Sequence, residues 1–219
     1  MPSRGSESEQ VAHYFETHAA DFDSIYEERG KGAVRDLRDR LSRGTVVKRL
    51  DHVRELASGL KPDRVLDVGC GGGRFSIPLA MAGSHVTGLD FAPEMIAMAD
   101  RRANEVGAGE RCTFLAEDYM GWTAPEPFGM SIACGVVDYV SDPGPLIEKM
   151  AADTRGTVIV SFPKRWHPLV PLRKVRLSME GCPVFFYGRA QVEELGRRHL
   201  TEFTVSTLGR DYMLIGRSG

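Results

Sequence analysis

Apolar positions along the chain change their spacing near residue 64, from helical to strand-like. Before that point they recur every three or four residues in 11–30 and in 33–60, which predicts an amphipathic helix and a second helix interrupted near Gly44. After that point short apolar runs alternate with helical stretches, a pattern typical of a parallel sheet that is covered on both faces.

This second part of the chain predicts five strands and four helices, followed by a closing hairpin. We expect strands at 64–68, 85–89, 111–115, 130–134 and 156–161, and helices near 73–82, 93–106, 143–152 and 189–199. Segments 201–209 and 210–218 flank a tight Gly209-Arg210 turn and predict an antiparallel hairpin at the sheet edge. The expected fold is an α/β, seven-stranded, mostly parallel sheet with helices on both faces.

The first strand runs into a glycine-rich loop. Residues 65–90 read VLDVGCGGGRFSIPLAMAGSHVTGLD, with Gly69, Gly71 and Gly73 in the turn before a helix. Such a turn lets the backbone approach a nucleotide cofactor at the carboxyl edge of a sheet. The glycines alone do not choose between a dinucleotide and another adenosine-containing ligand.

Three acidic residues distinguish between these two kinds of ligand. Asp67 leads an Asp-x-Gly-x-Gly-x-Gly spacing, whereas the dinucleotide fingerprint is Gly-x-Gly-x-x-Gly with no leading acid. A carboxylate at that place would repel a pyrophosphate and suits a cationic amine. Asp90 ends the next strand, where a carboxylate can accept both ribose hydroxyls, and Asp118 follows the third strand within reach of an adenine amino group. The acids predict an adenosine ligand without phosphate.

These segments resemble the class I S-adenosylmethionine-dependent methyltransferases. VLDVGCGGG is similar to their first motif, VTGLDFAPEMIAMAD to their second strand and following helix, FLAEDY to their third strand, and the final hairpin to their strands six and seven. The likeness covers residues 64–216. It implies a Rossmann-like fold, S-adenosyl-L-methionine as cofactor and S-adenosyl-L-homocysteine as product.

The resemblance also implies which residues bind the cofactor. Asp67 and the 69–73 backbone hold the methionine end, Asp90 the ribose, and Asp118 the adenine. The full set of implied contacts adds Gly69, Cys70, Gly71, Gly73, Phe91, Met95, Tyr119, Cys134 and Gly135. HYFETHAADFDSIY resembles the leading helix of magnesium-protoporphyrin O-methyltransferases and of sugar or quinone enzymes, which adds Tyr14 and Tyr26. Core packing is the alternative for both tyrosines, and an N-cap before Pro93 is the alternative for Asp90.

The loop after the fourth strand, ACGVVDYVSDPGPL, concerns the methyl acceptor. It lacks the Asn/Asp-Pro-Pro-aromatic signature of many amino-group methyltransferases, which counts against a nucleobase or glutamine nitrogen. Asp138 and Tyr139 stand in the corresponding place, where a carboxylate could orient or deprotonate a hydroxyl. A cap or turn role is the alternative for Asp138.

Segment 163–187 is too long for a simple connection, and it predicts a lid over the acceptor. Within it, residues 163–176 carry six basic side chains and no acid, which favours an acceptor with a phosphate, a carboxylate or a lipid link. A solvated amphipathic helix is the alternative. The predicted acceptor contacts are Lys164, Arg165, Trp166, Arg173, Arg176 and Tyr187, with His167 as a candidate base.

Composition and charge narrow the class of protein. A net charge of −2 with 42% hydrophobic residues describes a globular domain without a general attraction to nucleic acid. The polar start and the lack of an apolar run of about 20 residues predict a cytoplasmic protein with at most transient membrane-surface contact. Four separated cysteines predict neither a zinc site nor a disulfide framework, and no metal is expected.

The sequence therefore predicts an N-terminal helical cap at 1–60 and a methyltransferase domain at 61–219. The expected reaction is direct displacement onto a hydroxyl or carboxylate oxygen of a small or lipid-linked, anionic acceptor. N- or C-methylation of a porphyrin, quinone or sugar, RNA methylation, and a non-catalytic cofactor-binding module are the alternatives. A NAD-dependent dehydrogenase would need the other glycine spacing and a second domain. The sequence does not determine the oligomeric state.

Overall fold

The structure, a computed structural model, describes residues 33–165 and 183–219, with side chains from residue 44 onward. Seven strands form one sheet in the order β3-β2-β1-β4-β5-β7-β6. The strands are β1 Arg64–Val68, β2 His85–Asp90, β3 Cys112–Ala116, β4 Phe128–Ala133, β5 Thr154–Pro163, β6 Glu202–Leu208 and β7 Asp211–Arg217. Strands β1 to β5 pair in parallel, and β7 runs antiparallel to both of its neighbours. This is the mixed, mostly parallel sheet that the sequence predicts.

In the described part of the chain, five α-helices cover the two faces of the sheet. They are α1 Ala33–Leu60, α2 Ser76–Met81, α3 Pro93–Glu105, α4 Gly144–Ala152 and α5 Arg189–His199. Helices α1 and α2 bury Val53 and Leu79 against Val65 on one face, and α3 extends that cover to Phe114 of β3. Helices α4 and α5 bury Ile147 and Val192 on the other face. Since both faces are covered, the central strands consist mostly of buried apolar residues, with a few buried polar ones such as Asp67 and Ser161.

Helix α1 is continuous, so the predicted interruption near Gly44 is wrong. The helix runs through Gly44, which is exposed and would have no neighbour within 4 Å of an added Cβ. A glycine weakens a helix by removing a side chain and adding backbone freedom, but it does not end one. Contacts made further along, at the buried Thr45 and Val53, keep this helix against the sheet.

The other boundaries agree with the sequence to within a few residues. Helix α2 begins later than predicted, at Ser76, because Gly73 has a φ of +77° and the chain is still turning there. The C-terminal hairpin is confirmed, but β7 is its inner strand and β6 forms the sheet edge. The predicted helix in 11–30 and most of the predicted lid lie outside the described residues.

The strand order reverses between β1 and β4, and this reversal positions the site. In open α/β sheets a ligand crevice forms outside the carboxyl ends of the strands at such a point. The glycine loop follows β1 at this edge, and Cys134 and Gly135 follow β4 beside it. Strand β7 is antiparallel, so its first residue, Asp211, also lies at this edge, opposite Pro163.

In the part of the chain that the structure describes, no helix is both long and apolar enough to cross a membrane.

Two of the helical glycines, Gly44 and Gly196, should respond in opposite ways to replacement by alanine. Gly44→Ala should stabilise the protein by about 0.5–1 kcal/mol, because it improves helix propensity where space is open. Gly196→Ala in α5 should destabilise it by about 1–3 kcal/mol, because the new Cβ would meet the Phe203 ring at 2.5 Å. Urea unfolding of the two variants measures both changes. A destabilising Gly44→Ala would contradict the continuous helix.

Candidate active site

The glycine loop presents its backbone at the mouth of the crevice. The N–H groups of Gly69 and Cys70 both donate to the Leu89 carbonyl, at 2.7 and 3.0 Å, which ties the start of the loop to the end of β2. Gly69 has a φ of +67°, and a Cβ there would meet Val136 at 2.5 Å. Only glycine fits this position, so the loop keeps the close backbone approach that a bound cofactor needs.

Asp90 holds the loop from the neighbouring strand. One carboxylate oxygen accepts the Gly71 N–H at 2.9 Å, and the other accepts the Ala92 N–H at 3.0 Å. The N-cap of α3 is Ala92. Asp90 is therefore not the N-cap, which was the alternative to its role as a ribose contact. A carboxylate has about four acceptor sites, so Asp90 can brace the loop and still accept ribose hydroxyls.

Asp67 lies deeper, at 1% exposure near the end of β1. The Ser76 hydroxyl at the start of α2 donates to its carboxylate at 2.5 Å. Burial raises the pKa of Asp67 to about 7, with a further increase from the charge of Asp90 and a decrease from the Ser76 hydrogen bond. Burial also raises the pKa of Asp90, against its two backbone N–H partners. A buried and a half-buried carboxylate in one crevice form a site that would favour a cationic ligand.

Apolar side chains flank the crevice where β2 and β3 end. Phe91 and Met120 are 39% and 44% exposed, and Met95 is buried beneath in α3. Asp118 is exposed between them, and one of its carboxylate oxygens accepts the Met120 N–H. The Phe91 ring, the Met120 side chain and the Asp118 carboxylate are candidate contacts for an adenine ring. Met120 was not among the residues predicted from the sequence, because an apolar residue four positions after a strand carries little signal.

Tyr119, a predicted adenine contact, turns its ring away from the crevice. Its ring is buried, and its hydroxyl donates to Asp153 at 2.8 Å. Asp153 immediately precedes β5, at the amino edge of the sheet, opposite to the crevice. Lys149 lies over the same ring, so Tyr119 belongs to the packing beneath α4.

Cys70 and Cys134 border the crevice with their backbone, and their thiols take no part in its chemistry. Cys70 is buried and would lie 2.9 Å from a Cβ on Gly88, so its side chain points into the sheet. Burial raises the pKa of the Cys134 thiol to about 12, which keeps it neutral at physiological pH. Within residues 44–165 and 183–219 there is no group of three side chains that could hold a metal ion.

Arg49 of α1 reaches the same edge, and the sequence analysis missed it. Its Nη1 donates to the Ser161 hydroxyl at 3.2 Å, and its Nε lies 3.0 Å from a carboxylate oxygen of Asp211. The same Nη1 would lie 3.2 Å from a Cβ on Gly135, so the guanidinium borders the end of β4. The sequence offered one sign of this position: Arg49 lies four residues before Val53, so both residues share the inward face of α1.

The loop after β4 forms a single 3-10 turn, Val137–Tyr139, at the crevice. Asp138 is 5% exposed and Tyr139 is 9% exposed, and the Asp138 carbonyl accepts the Phe185 N–H at 2.8 Å. Tyr187 is also buried, and its hydroxyl donates to the carbonyls of Val137 and Val140. Tyr187 therefore fixes the turn, and its role as an acceptor contact stays a prediction.

Two basic residues of the predicted lid have partners in the fold. Lys164 donates to the Gly209 carbonyl at 2.7 Å, and burial lowers its pKa. Arg165 is exposed and donates to Gln191 of α5 at 3.1 Å. Neither contact leads toward the glycine loop. The other predicted residues, which are Tyr14, Tyr26, Trp166, His167, Arg173 and Arg176, lie outside the described residues.

Comparison with known families agrees with this geometry. Residues 65–155 match a family model described as a methyltransferase domain. Residues 65–155 are therefore similar to a methyltransferase domain, and the residues of the crevice fit S-adenosylmethionine as the cofactor of such a domain.

The chain is similar to enzymes of several bacteria. It is 36% identical over 108 residues to ubiquinone biosynthesis O-methyltransferase of Actinobacillus pleuropneumoniae serotype 7, which covers 48% of this chain and 46% of the relative. The enzyme of the same name from Azorhizobium caulinodans is 33% identical over 137 residues, 59% of this chain and 51% of the relative. The chain thus spans about half the length of the curated relatives it matches.

Solved structures show the same fold over a larger part of the chain. Magnesium protoporphyrin IX methyltransferase from Synechocystis PCC 6803, with bound SAH, superimposes with a TM-score of 0.77 at 24% identity and covers 97% of this chain and 100% of that one. A methyltransferase from Thermotoga maritima gives a TM-score of 0.69 at 16% identity, over 94% and 99% of the two chains. At these identities the likeness concerns the fold.

The raised pKa of Asp67 predicts an unusual pH dependence of stability without cofactor. Between the unfolded value near 4 and the folded value of about 7, the folded state binds more protons than the unfolded state, so this group's contribution to stability falls as pH rises. Asp67→Asn removes the ionisation. Relative to the native chain, its free energy of unfolding should gain about 2–4 kcal/mol between pH 4.5 and pH 8.

Urea unfolding at the two pH values measures this change. Ser76→Ala is the matched control, because loss of the hydroxyl donor should raise the pKa of Asp67 further. The free energy of unfolding should then continue to fall up to a higher pH than in the native chain. A difference between Asp67→Asn and the native chain that does not change with pH would contradict the assignment.

Proposed function

We propose that the protein transfers the methyl group of S-adenosylmethionine to an oxygen of a small or lipid-linked, anionic acceptor. The observation that carries this proposal is the convergence of the glycine-loop backbone with two carboxylates in one crevice, the buried Asp67 and the half-buried Asp90. The bound cofactor supplies a methyl group already activated by its positively charged sulfur. The protein then needs to orient the acceptor and, for a hydroxyl, to take up its proton.

The chain has a complementary group for each part of the cofactor. The methionine tail is a zwitterion, and Asp67 suits its ammonium while the Arg49 guanidinium, at the end of β4, suits its carboxylate. Asp90 suits the ribose hydroxyls. Phe91, Met120 and Asp118 suit the adenine.

Asp138 is our candidate for the group that orients or deprotonates the acceptor. It is buried in the turn after β4, and the Tyr187 hydroxyl and the Phe185 N–H hold that turn from the segment after β5. The segment that returns from the predicted lid therefore packs against the candidate base. Tyr139 is the neighbouring candidate, buried in the same turn.

Transfer to oxygen is supported by the relatives as well as by this turn. Curated relatives that the chain matches over about half of their length are named as O-methyltransferases. An anionic acceptor is supported by the six basic residues within 163–176, of which Lys164 and Arg165 belong to the described part of the chain. We propose a carboxylate or phosphate on the acceptor as the group that this segment attracts.

A transfer assay with methyl-labelled cofactor tests the proposal over polyprenylated catechols, porphyrin carboxylic acids, anionic sugars and phospholipid precursors. With an accepted oxygen substrate, Asp138→Asn should lower kcat by about 10²–10⁴-fold without changing the affinity for S-adenosylhomocysteine, because only proton uptake is lost. Asp142→Asn is the matched control in the same loop, since that carboxylate only accepts the Gly144 N–H at the start of α4.

Either of two results would count against this reading. Equal loss of kcat in both variants would assign Asp138 to the loop structure. Transfer to an amine alone, with no oxygen substrate in any class, would overturn the oxygen-directed proposal.

A further inference from the structure

The antiparallel strand β7 brings a buried charge to the cofactor edge from the far end of the chain. Asp211 is its first residue, 4% exposed, and its carboxylate pairs with Arg49 of α1 at 3.0 Å. Both side chains are withdrawn from solvent, with exposures of 6% and 13%. None of the crevice residues described above comes from the C-terminal hairpin, so this pair is a separate connection.

The Ser161 hydroxyl connects this ion pair to the backbone of the crevice. The Ser161 Oγ accepts from Arg49 at 3.2 Å and from the Gly135 N–H at 2.9 Å. Gly135 has a φ of +89° and lies directly after β4, at the point where the strand order reverses. Asp211, Arg49, Ser161 and Gly135 thus form one chain of polar contacts across β7, α1, β5 and β4.

The turn before β7 holds α1 at a second place. Arg210 donates to the buried Thr45 hydroxyl at 3.0 Å, one helical turn before Arg49. Lys164 donates to the Gly209 carbonyl in the same turn. Residues 209–211 therefore set both the position and the rotation of α1, and with them the direction from which Arg49 enters the site.

A buried ion pair of this kind is poorly explained by stability. The cost of removing two charges from water commonly cancels their attraction, and apolar pairs of similar size often serve the fold equally well. Such a pair is better explained as a means of directing the guanidinium.

We propose that Asp211 is a positioning residue for the methionine end of the cofactor, acting through Arg49 and Ser161. This inference rests on the proposed function, in which Arg49 receives the cofactor carboxylate. Asp211 itself touches no cofactor in this account. The charge of Asp211 fixes the position of the Arg49 guanidinium. The Ser161 hydroxyl binds both this guanidinium and the Gly135 N–H, so it keeps the two at a fixed separation.

Two ligands that differ only in the tail test this role. S-adenosylhomocysteine carries the amino-acid tail, and 5′-methylthioadenosine lacks it. Asp211→Asn keeps the shape and removes the charge, so it should raise the Kd of S-adenosylhomocysteine about tenfold and change that of methylthioadenosine less than twofold. Calorimetric titration measures both constants. A general loss of structure would weaken the two ligands alike.

Further variants separate the possible outcomes. In an Arg49→Met background, Asp211→Asn should have no further effect on S-adenosylhomocysteine binding. Glu126→Gln, which breaks the Arg64 ion pair at the amino edge, is the control and should leave both ligands unaffected. If Asp211→Asn does not fold, Ser161→Ala removes the next contact in the chain and should show the same selectivity between the ligands.

The results also distinguish this inference from the function on which it rests. A native chain that binds neither ligand would overturn the proposed function. A native chain that binds both, with Asp211→Asn and Ser161→Ala unchanged or weakened equally for both, would overturn the positioning role alone.

Discussion

Two carboxylates withdrawn from water at the ends of neighbouring strands, Asp67 of β1 and Asp90 of β2, constrain the rest of the site. Burial raises the pKa of both, so the pair carries an electrostatic cost that a cationic ligand would relieve. Asp90 also fixes the glycine loop through the Gly71 N–H. Asp90 thus helps to shape the backbone cradle, and both carboxylates favour a ligand with positive charge.

The sheet topology determines which distant residues join this crevice. Because β7 is antiparallel to β5, its first residue lies at the carboxyl edge with the ends of β1, β2 and β4. Helix α1 packs on the sheet through Val53 and brings Arg49 to the same place. The hairpin and α1 therefore act in the site as well as in the core. Their polar contacts converge on Ser161 and Gly135, beside the loop that carries Asp138.

The parts of the fold that depend on local spacing could be predicted from the sequence. Alternating apolar runs located the strands, and the spacing of Asp67, Gly69, Gly71 and Gly73 located the cofactor loop. Contacts between distant segments could not be predicted, because nothing near Arg49 in the chain shows that it meets Asp211.

The directions of two side chains, Tyr119 and Tyr187, could not be predicted from the sequence either. Tyr119 follows β3 at the crevice edge, yet packing beneath α4 turns its hydroxyl to Asp153. Tyr187 lies in the predicted lid, yet its hydroxyl binds the turn after β4. In both cases tertiary packing determined which way the ring points, and a sequence pattern carries no signal for that.

The most direct test of the account is the number of protons released when S-adenosylhomocysteine binds at pH 6.5, measured by calorimetry in two buffers of different ionisation enthalpy. Asp67, with a pKa of about 7, is mostly protonated in the free protein at that pH and must ionise to hold the ligand's ammonium group. The account predicts the release of about 0.5–1 proton per ligand from the native chain and none from Asp67→Asn. Tight binding with no proton release would contradict it.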